Sequence, residues 1–235
     1  MTKLIVALDK DSLSEALAVI DAAGDSVEWY KIGSQLFCKE GPAAVKAVKD
    51  KGKKVFLDLK FHDIPNTVAN AVAVSVGMGV EMVNVHASGG EEMMSRAVEA
   101  AKATASGADL PLVIAVTVLT SMNEAGLTQV LNIDTPRPPA EQVEHLAKLA
   151  KQSGMAGVVC SAHEIDIIKN ACGQDFQLVV PGIRPAGSAV GDQKRVMTPA
   201  EAAEKGADFI VVGRPVLNAP DPAAAAKAIN EELGN

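Results

Sequence analysis

The hexapeptide DLKFHD, Asp58–Asp63, brings two carboxylates and a lysine together just after a short apolar run. If that run is a strand, Asp58 and Lys60 are two apart and face the same side. Other polar residues stand in equivalent places, at or just past short apolar runs. Asp9 follows LIVAL, Lys31 sits in WYKIG, and His86 follows MVNV. Thr120-Ser121, then Ser161 and His163, then Gly182-Ile183-Arg184, then Gly213-Arg214 follow later runs. A ring of salt bridges is the bland account of any one charge among them. It is a poor account of Asp9, Lys31, Asp58, Lys60 and Asp63 together, because buried charges are costly and a stability network has no reason to gather at one end of a sheet. Lysines held between carboxylates suit general acid chemistry and stabilisation of a developing negative charge.

A second cluster suits an anion. Pro181–Pro199 is a long glycine-bearing stretch containing Arg184 and Gln193, and Gly213-Arg214 follows the last apolar run. Backbone N–H groups and a guanidinium fork fit a phosphate dianion. A metal reading of His62, His86 and His163 is unfavoured, because no H-x-H or H-x-x-x-H spacing is present. His145 reads as surface and Cys160 as core. The three cysteines form no C-x-x-C pair, which signals neither zinc nor redox chemistry.

Positioning these groups requires a repeated scaffold. Eight short apolar runs are present: Leu4–Leu8, Trp29–Ile32, Val55–Leu59, Met82–Val85, Leu112–Leu119, Val158–Cys160, Leu178–Val180 and Phe209–Val212. Runs that are apolar throughout read as parallel strands covered on both faces. Helical stretches lie between most of them. Ser12–Ala23 opens with a Ser12/Glu15 capping box, Thr198-Pro199 starts a helix over Ala200–Lys205, and Asp221-Pro222 starts the last helix. A further helix is expected over Ala140–Ser153, preceded by an extra turn or loop at Ile133–Pro139.

Eight strand–helix units in 235 residues, with no break in composition, predict one (β/α)8 barrel over residues 1–235. A doubly wound open sheet is the alternative, but no G-x-G-x-x-G follows the first strand. In such a barrel the strand C-termini form the active face, and the loops after strands seven and eight commonly hold phosphate. A net charge of −7 argues against general affinity for nucleic acid, and no apolar stretch is long enough to span a membrane. The N-terminal MTKLIVALDK lacks a signal core, so a cytoplasmic protein is expected.

The whole chain closely resembles the orotidine 5′-phosphate decarboxylase family. The resemblance is carried by DLKFHDIPNTV (Asp58–Val68) and PGIRP…GDQKR (Pro181–Arg195). VALD, YKIG (Tyr30–Gly33), VTVLTS (Val116–Ser121) and VVGRP (Val211–Pro215) extend it. It implies that Asp58, Lys60 and Asp63 form the catalytic charge array with Lys31 beside it, Lys60 being the proton donor. It implies that Asp9 and Lys31 bind the ribose side, that Thr120 and Ser121 lie by the pyrimidine, and that Gln193 and Arg214 hold the phosphate. The Gly213 backbone would stand beside them, with Arg184 supporting that loop. Asp63, Ile64 and Thr67 would reach into the site of a twofold-related partner, making a homodimer with shared sites. No cofactor is implied. The competing readings are a metal-dependent sugar-phosphate decarboxylase or aldolase of the same superfamily, an epimerase, and a non-catalytic nucleotide-binding barrel.

Overall fold

The computed structural model describes residues 1–105, 110–132, 138–185 and 197–235. Its parallel strands are β1 (Lys3–Ala7), β2 (Trp29–Gly33), β3 (Lys54–Phe61), β4 (Met82–His86), β5 (Leu112–Val116), β6 (Gly157–Val159), β7 (Gln177–Pro181) and β8 (Phe209–Val212). They close into a barrel in sequence order, β8 pairing back onto β1. Helices alternate with the strands, giving the (β/α)8 barrel that the apolar runs predict.

The runs are apolar throughout because both faces of each strand are covered. Along β1, Leu4 and Val6 join the layer beneath the helices. Ile5 and Ala7 turn inward to meet Trp29, Phe56, Met82, Ile114, Val179, Phe209 and Val211. Trp29 and Phe209 close the N-terminal end of the barrel, ring centroids 5.2 Å apart in an edge-on arrangement. The ammonium groups of Lys3 and Lys54 each lie 5.5 Å from one of those rings. With aromatic rings at one end and aliphatic side chains at mid-height, the polar residues gather at the strand C-termini.

Near the same closed end, Lys169 is 6% exposed. Its ammonium donates to the Asp208 carboxylate at 2.9 Å and to the carbonyls of Gln174 at 2.8 Å and Phe176 at 3.0 Å. Asp208 also accepts from the Leu178 N–H at 2.8 Å, so one buried ion pair ties helix Ile165–Cys172 to β7 and the start of β8.

Several local expectations need correction. The fifth strand stops at Val116 rather than Leu119; just past it, the Thr117 N–H and hydroxyl both donate to the Val159 carbonyl, at 3.3 and 3.0 Å. The third strand runs past Leu59 to Phe61, with a register shift against β4 between Leu57 and Phe61. Ser12 does cap helix Leu13–Ala23, but the Glu15 carboxylate returns to the N–H of Asp11, not of Ser12, so no reciprocal box forms. Thr198 and Glu201 do form one, at the start of helix Pro199–Glu204. Asp221 caps helix Pro222–Glu232, and the helix expected at Ala140–Ser153 spans Pro139–Gln152. An Asn123-capped helix, Glu124–Leu131, stands in the long fifth connection. Of the Ile133–Pro139 loop, residues 133–137 lie outside the described residues. Among the described residues, no helix is long and apolar enough to cross a membrane.

Candidate active site

A cavity of about 550 Å³ opens at the C-terminal ends of the strands. Its floor is apolar, made by Ala7, Phe56, Val159, Val179 and Val211. Its walls carry an alternating-charge array on β1–β3 and arginines on the adjoining β7–β8 segment.

On the β1–β3 side stands a chain of alternating charges. Strand register puts Ala7 beside Lys31, Lys31 beside Phe56 and Gly33 beside Asp58, so inward positions of three strands converge. Lys31 Nζ lies 3.3 Å from Asp9 Oδ1 and 3.3 Å from Asp58 Oδ2. Asp58 Oδ1 takes Lys60 Nζ at 2.6 Å. Asp58 is buried, with only 11% of its side chain exposed, whereas 37% of the Lys60 side chain remains open to the cavity. Burial pushes the Asp58 carboxyl up. The ammonium groups of Lys31 and Lys60, with hydrogen bonds from Lys60 and Asn84, outweigh that and hold it below the usual carboxylate range. Gly33 leaves room for this packing: a Cβ there would stand 2.9 Å from Lys31 Nζ and press the ammonium to shift.

Lys60 itself is unusual. Its φ is +53°, a left-handed conformation that lysine rarely adopts. It falls within the β3–β4 register shift, so Asp58 and Lys60 converge through a bulge rather than through simple strand alternation. The residue that holds the bulge, Asn84 on β4, is fully buried and was not anticipated. A lone Asn inside MVNVH gives no signal until the strand register is known.

On the β7–β8 side the cavity is lined by Gly182, Arg184, Gly213 and Arg214. Arg184 is buried, and its backbone N–H donates to Met197 O at 3.0 Å, pinning the base of the seventh loop. Gly213 closes the circle with the first loop, since a Cβ there would lie 3.7 Å from Asp9 Oδ2. Lys10, Leu217 and Asn218 also line the cavity without having been anticipated. Lys10 lies on irregular backbone, and Leu217 and Asn218 end the one-turn helix Arg214–Leu217, too short to show a periodic signature.

The cavity thus gathers Asp9, Lys31, Asp58, Lys60, Thr120, Arg184, Gly213 and Arg214 from the sequence-derived set. It does not gather Ser121, Asp63, Ile64 or Thr67. Asp63 is exposed, its carboxylate accepting from the Ile64 N–H at 2.6 Å, and Ile64 is 67% exposed. Helix Pro65–Gly77 begins directly behind them, with Pro65 at its first position. Gln193 lies outside the described residues. His62 and His86 face each other with ring centroids 5.4 Å apart. Burial, then the neighbouring His62 and Lys60, push the His86 imidazole down, against a weaker pull from Asp58. Among the described residues no cluster of His, Cys, Asp and Glu suits a metal ion. His145 is exposed and Cys160 buried, as expected.

Residues 2–229 match the model of the orotidine 5′-phosphate decarboxylase / HUMPS family. The chain belongs to that family. An orotidine 5′-phosphate decarboxylase of Vibrio parahaemolyticus is 50% identical over 234 residues, covering 99% of this chain and 98% of the relative. One from Alcanivorax borkumensis is 52% identical over 219 residues, covering 93% and 92%. The crystal structure of orotidine 5′-phosphate decarboxylase from Lactobacillus acidophilus superposes with a TM-score of 0.89 at 40% identity, covering all of both chains. Family membership and barrel therefore agree, and the charged wall lies on the strands that carry the DLKFHDIPNTV motif and its neighbours.

Proposed function

We propose that this chain decarboxylates orotidine 5′-phosphate to uridine 5′-phosphate and CO₂ in pyrimidine biosynthesis. The alternating array Asp9–Lys31–Asp58–Lys60 carries the reading. Breaking the C6–carboxylate bond leaves an electron pair in the plane of the pyrimidine ring, where the π-system cannot absorb it. A fixed cation beside C6 stabilises that pair without reorganising solvent. Lys60 fills the role: its ammonium is anchored by Asp58 and open to the cavity. It then delivers a proton to C6 and recovers one from water. Lys31, clamped between Asp9 and Asp58, fixes the orientation of both carboxylates and meets the ribose hydroxyls.

The phosphate belongs at the β7–β8 side of the cavity. Arg214 and the Gly213 backbone offer it donors, Arg184 holds the base of the seventh loop, and Gln193 completes the grip. Thr120, which lines the cavity, flanks the pyrimidine. Gripping a non-reacting phosphate supplies binding energy that positions the ring over Lys60.

Asp63, Ile64 and Thr67 serve the neighbouring subunit of a homodimer in this reading. The support is their placement: exposed, outside their own cavity, in the loop after the strand that carries the array and the first turn of the helix that follows. A twofold axis would make each chain lend Asp63 and borrow one. The reaction needs neither metal nor organic cofactor, since Lys60 supplies the cation internally, and the enzyme works in the cytoplasm.

The test is the loss of ultraviolet absorbance of orotidine 5′-phosphate on adding purified protein in excess chelator. Turnover that Lys60→Ala abolishes supports the reading. An unchanged spectrum refutes it, and turnover that appears only with added magnesium favours the metal-dependent alternative.

A further inference from the structure

We infer that Asn84 is a positioning residue of the reaction centre, whose carboxamide sets the backbone of Lys60 and the carboxylate of Asp58 at once. This rests on the decarboxylase reading and goes beyond it by assigning a role to a neutral side chain on β4.

Leu57 pairs with Val83 and Phe61 with Val85, so β3 spends four steps where β4 spends two. The excess must be absorbed among Asp58, Leu59 and Lys60, and the backbone N–H groups there lose their regular ladder partners. Asn84 stands opposite that excess and is completely buried. Its Oδ1 accepts the Lys60 N–H at 2.8 Å, replacing the missing ladder bond. Its Nδ2 donates to Asp58 Oδ1 at 2.6 Å.

The chemistry of the partners fixes which way the amide faces. A peptide N–H only donates, and an ionised carboxylate only accepts. A carboxamide satisfies both at this reach. An ionised Asp would accept from Lys60 but repel Asp58, and Leu would satisfy neither. A buried donor or acceptor left unmatched here costs more than the bond it would have made. The consequence is directional. Lys60 adopts φ +53° only because its N–H is drawn toward β4, and that turn swings the side chain so that Nζ reaches Asp58 Oδ1. With Oδ1 occupied by Asn84 and Lys60, Oδ2 is left for Lys31.

Asn84→Asp gives a signature that simple destabilisation would not. At pH 8 the new carboxylate faces Asp58, and kcat should fall about tenfold or more while KM changes less than about threefold. As pH drops toward 5 the new carboxyl takes up a proton, becomes both donor and acceptor, and resembles the carboxamide. The ratio of variant to parent kcat should therefore climb on acidification. The titratable and charged groups around the position are Asp58, Lys60, Lys31, His62 and His86. They are common to both proteins, so the ratio isolates position 84. Asn84→Leu should lose kcat at every pH and keep affinity for uridine 5′-phosphate. If the Leu variant fails to fold, the Asp variant carries the test alone. A ratio flat with pH, or variants within about twofold of the parent, overturns the inference, provided the parent itself decarboxylates orotidine 5′-phosphate. An inactive parent overturns the underlying reading instead.

Discussion

Mixing two inactive variants tests whether the site is shared. Lys60→Ala removes the ammonium that Asp58 anchors at 2.6 Å, and Asp63→Ala removes a carboxylate that does not line its own cavity. Each homodimer should retain little turnover. If Asp63 serves the neighbour, a heterodimer carries one doubly damaged site and one intact site. Random reassortment of equal amounts makes about half the dimers mixed, each with one working site of two, so activity should recover to about a quarter of the parent value. The measurement is absorbance loss after unfolding, mixing and refolding, with each variant refolded alone as a control. The size of the recovery is informative, because it follows from counting sites and needs no energy term. If Asp63 completes its own chain's site, every site in every mixed dimer carries a lesion. Activity no higher than the two controls combined would refute the reasoning.

Other outcomes follow from the same geometry. Arg214→Ala should lower kcat/KM for orotidine 5′-phosphate about 100-fold or more, since a charge-assisted fork is lost, yet leave the slow reaction of the phosphate-free nucleoside unchanged; equal losses on both would make the arginine structural. Lys169→Met should cost about 3 kcal/mol, the low end for breaking a buried pair because Asp208 keeps its Leu178 bond and is partly exposed. For a chain of this size that lowers Tm by roughly 6–12 °C, read by thermal unfolding, with kcat unaffected. His86 has a lowered folded pKa, so below about pH 6.5 the unfolded chain binds a proton that the folded chain refuses. Stability should therefore fall on acidification through that window, and His86→Gln should flatten the slope of Tm against pH; identical slopes would exclude the histidine.

The barrel was legible because strands covered on both faces show as unbroken apolar runs, and helix starts announce themselves through Thr198, Pro199, Asp221 and Pro222. Asp9, Lys31, Asp58 and Lys60 were legible because each is a charge within or just past an apolar run, and parallel register brings strand ends together. Asn84 was not, since its meaning depends on a shift between two strands that neither reveals alone. The capping partner of Glu15 was missed for a similar reason: Ser12 and Asp11 differ by one residue, and only the local backbone decides which N–H the carboxylate reaches. Ser121 sits one residue past Thr120, yet only Thr120 reaches the cavity, because the chain leaves the strand at Thr117.

The left-handed backbone at Lys60 puts stability and activity in opposition. A non-glycine residue in that region costs on the order of 1–2 kcal/mol. Residues with a short polar side chain, Asn above all, tolerate it far better. Asn or Gly at position 60 would relieve that strain but also remove the ammonium that partners the buried Asp58, so a heat-resistance screen reads the balance of the two, whereas selection for pyrimidine prototrophy should hold the lysine whichever wins. A library sorted first by one criterion and then by the other would display that conflict at a single codon.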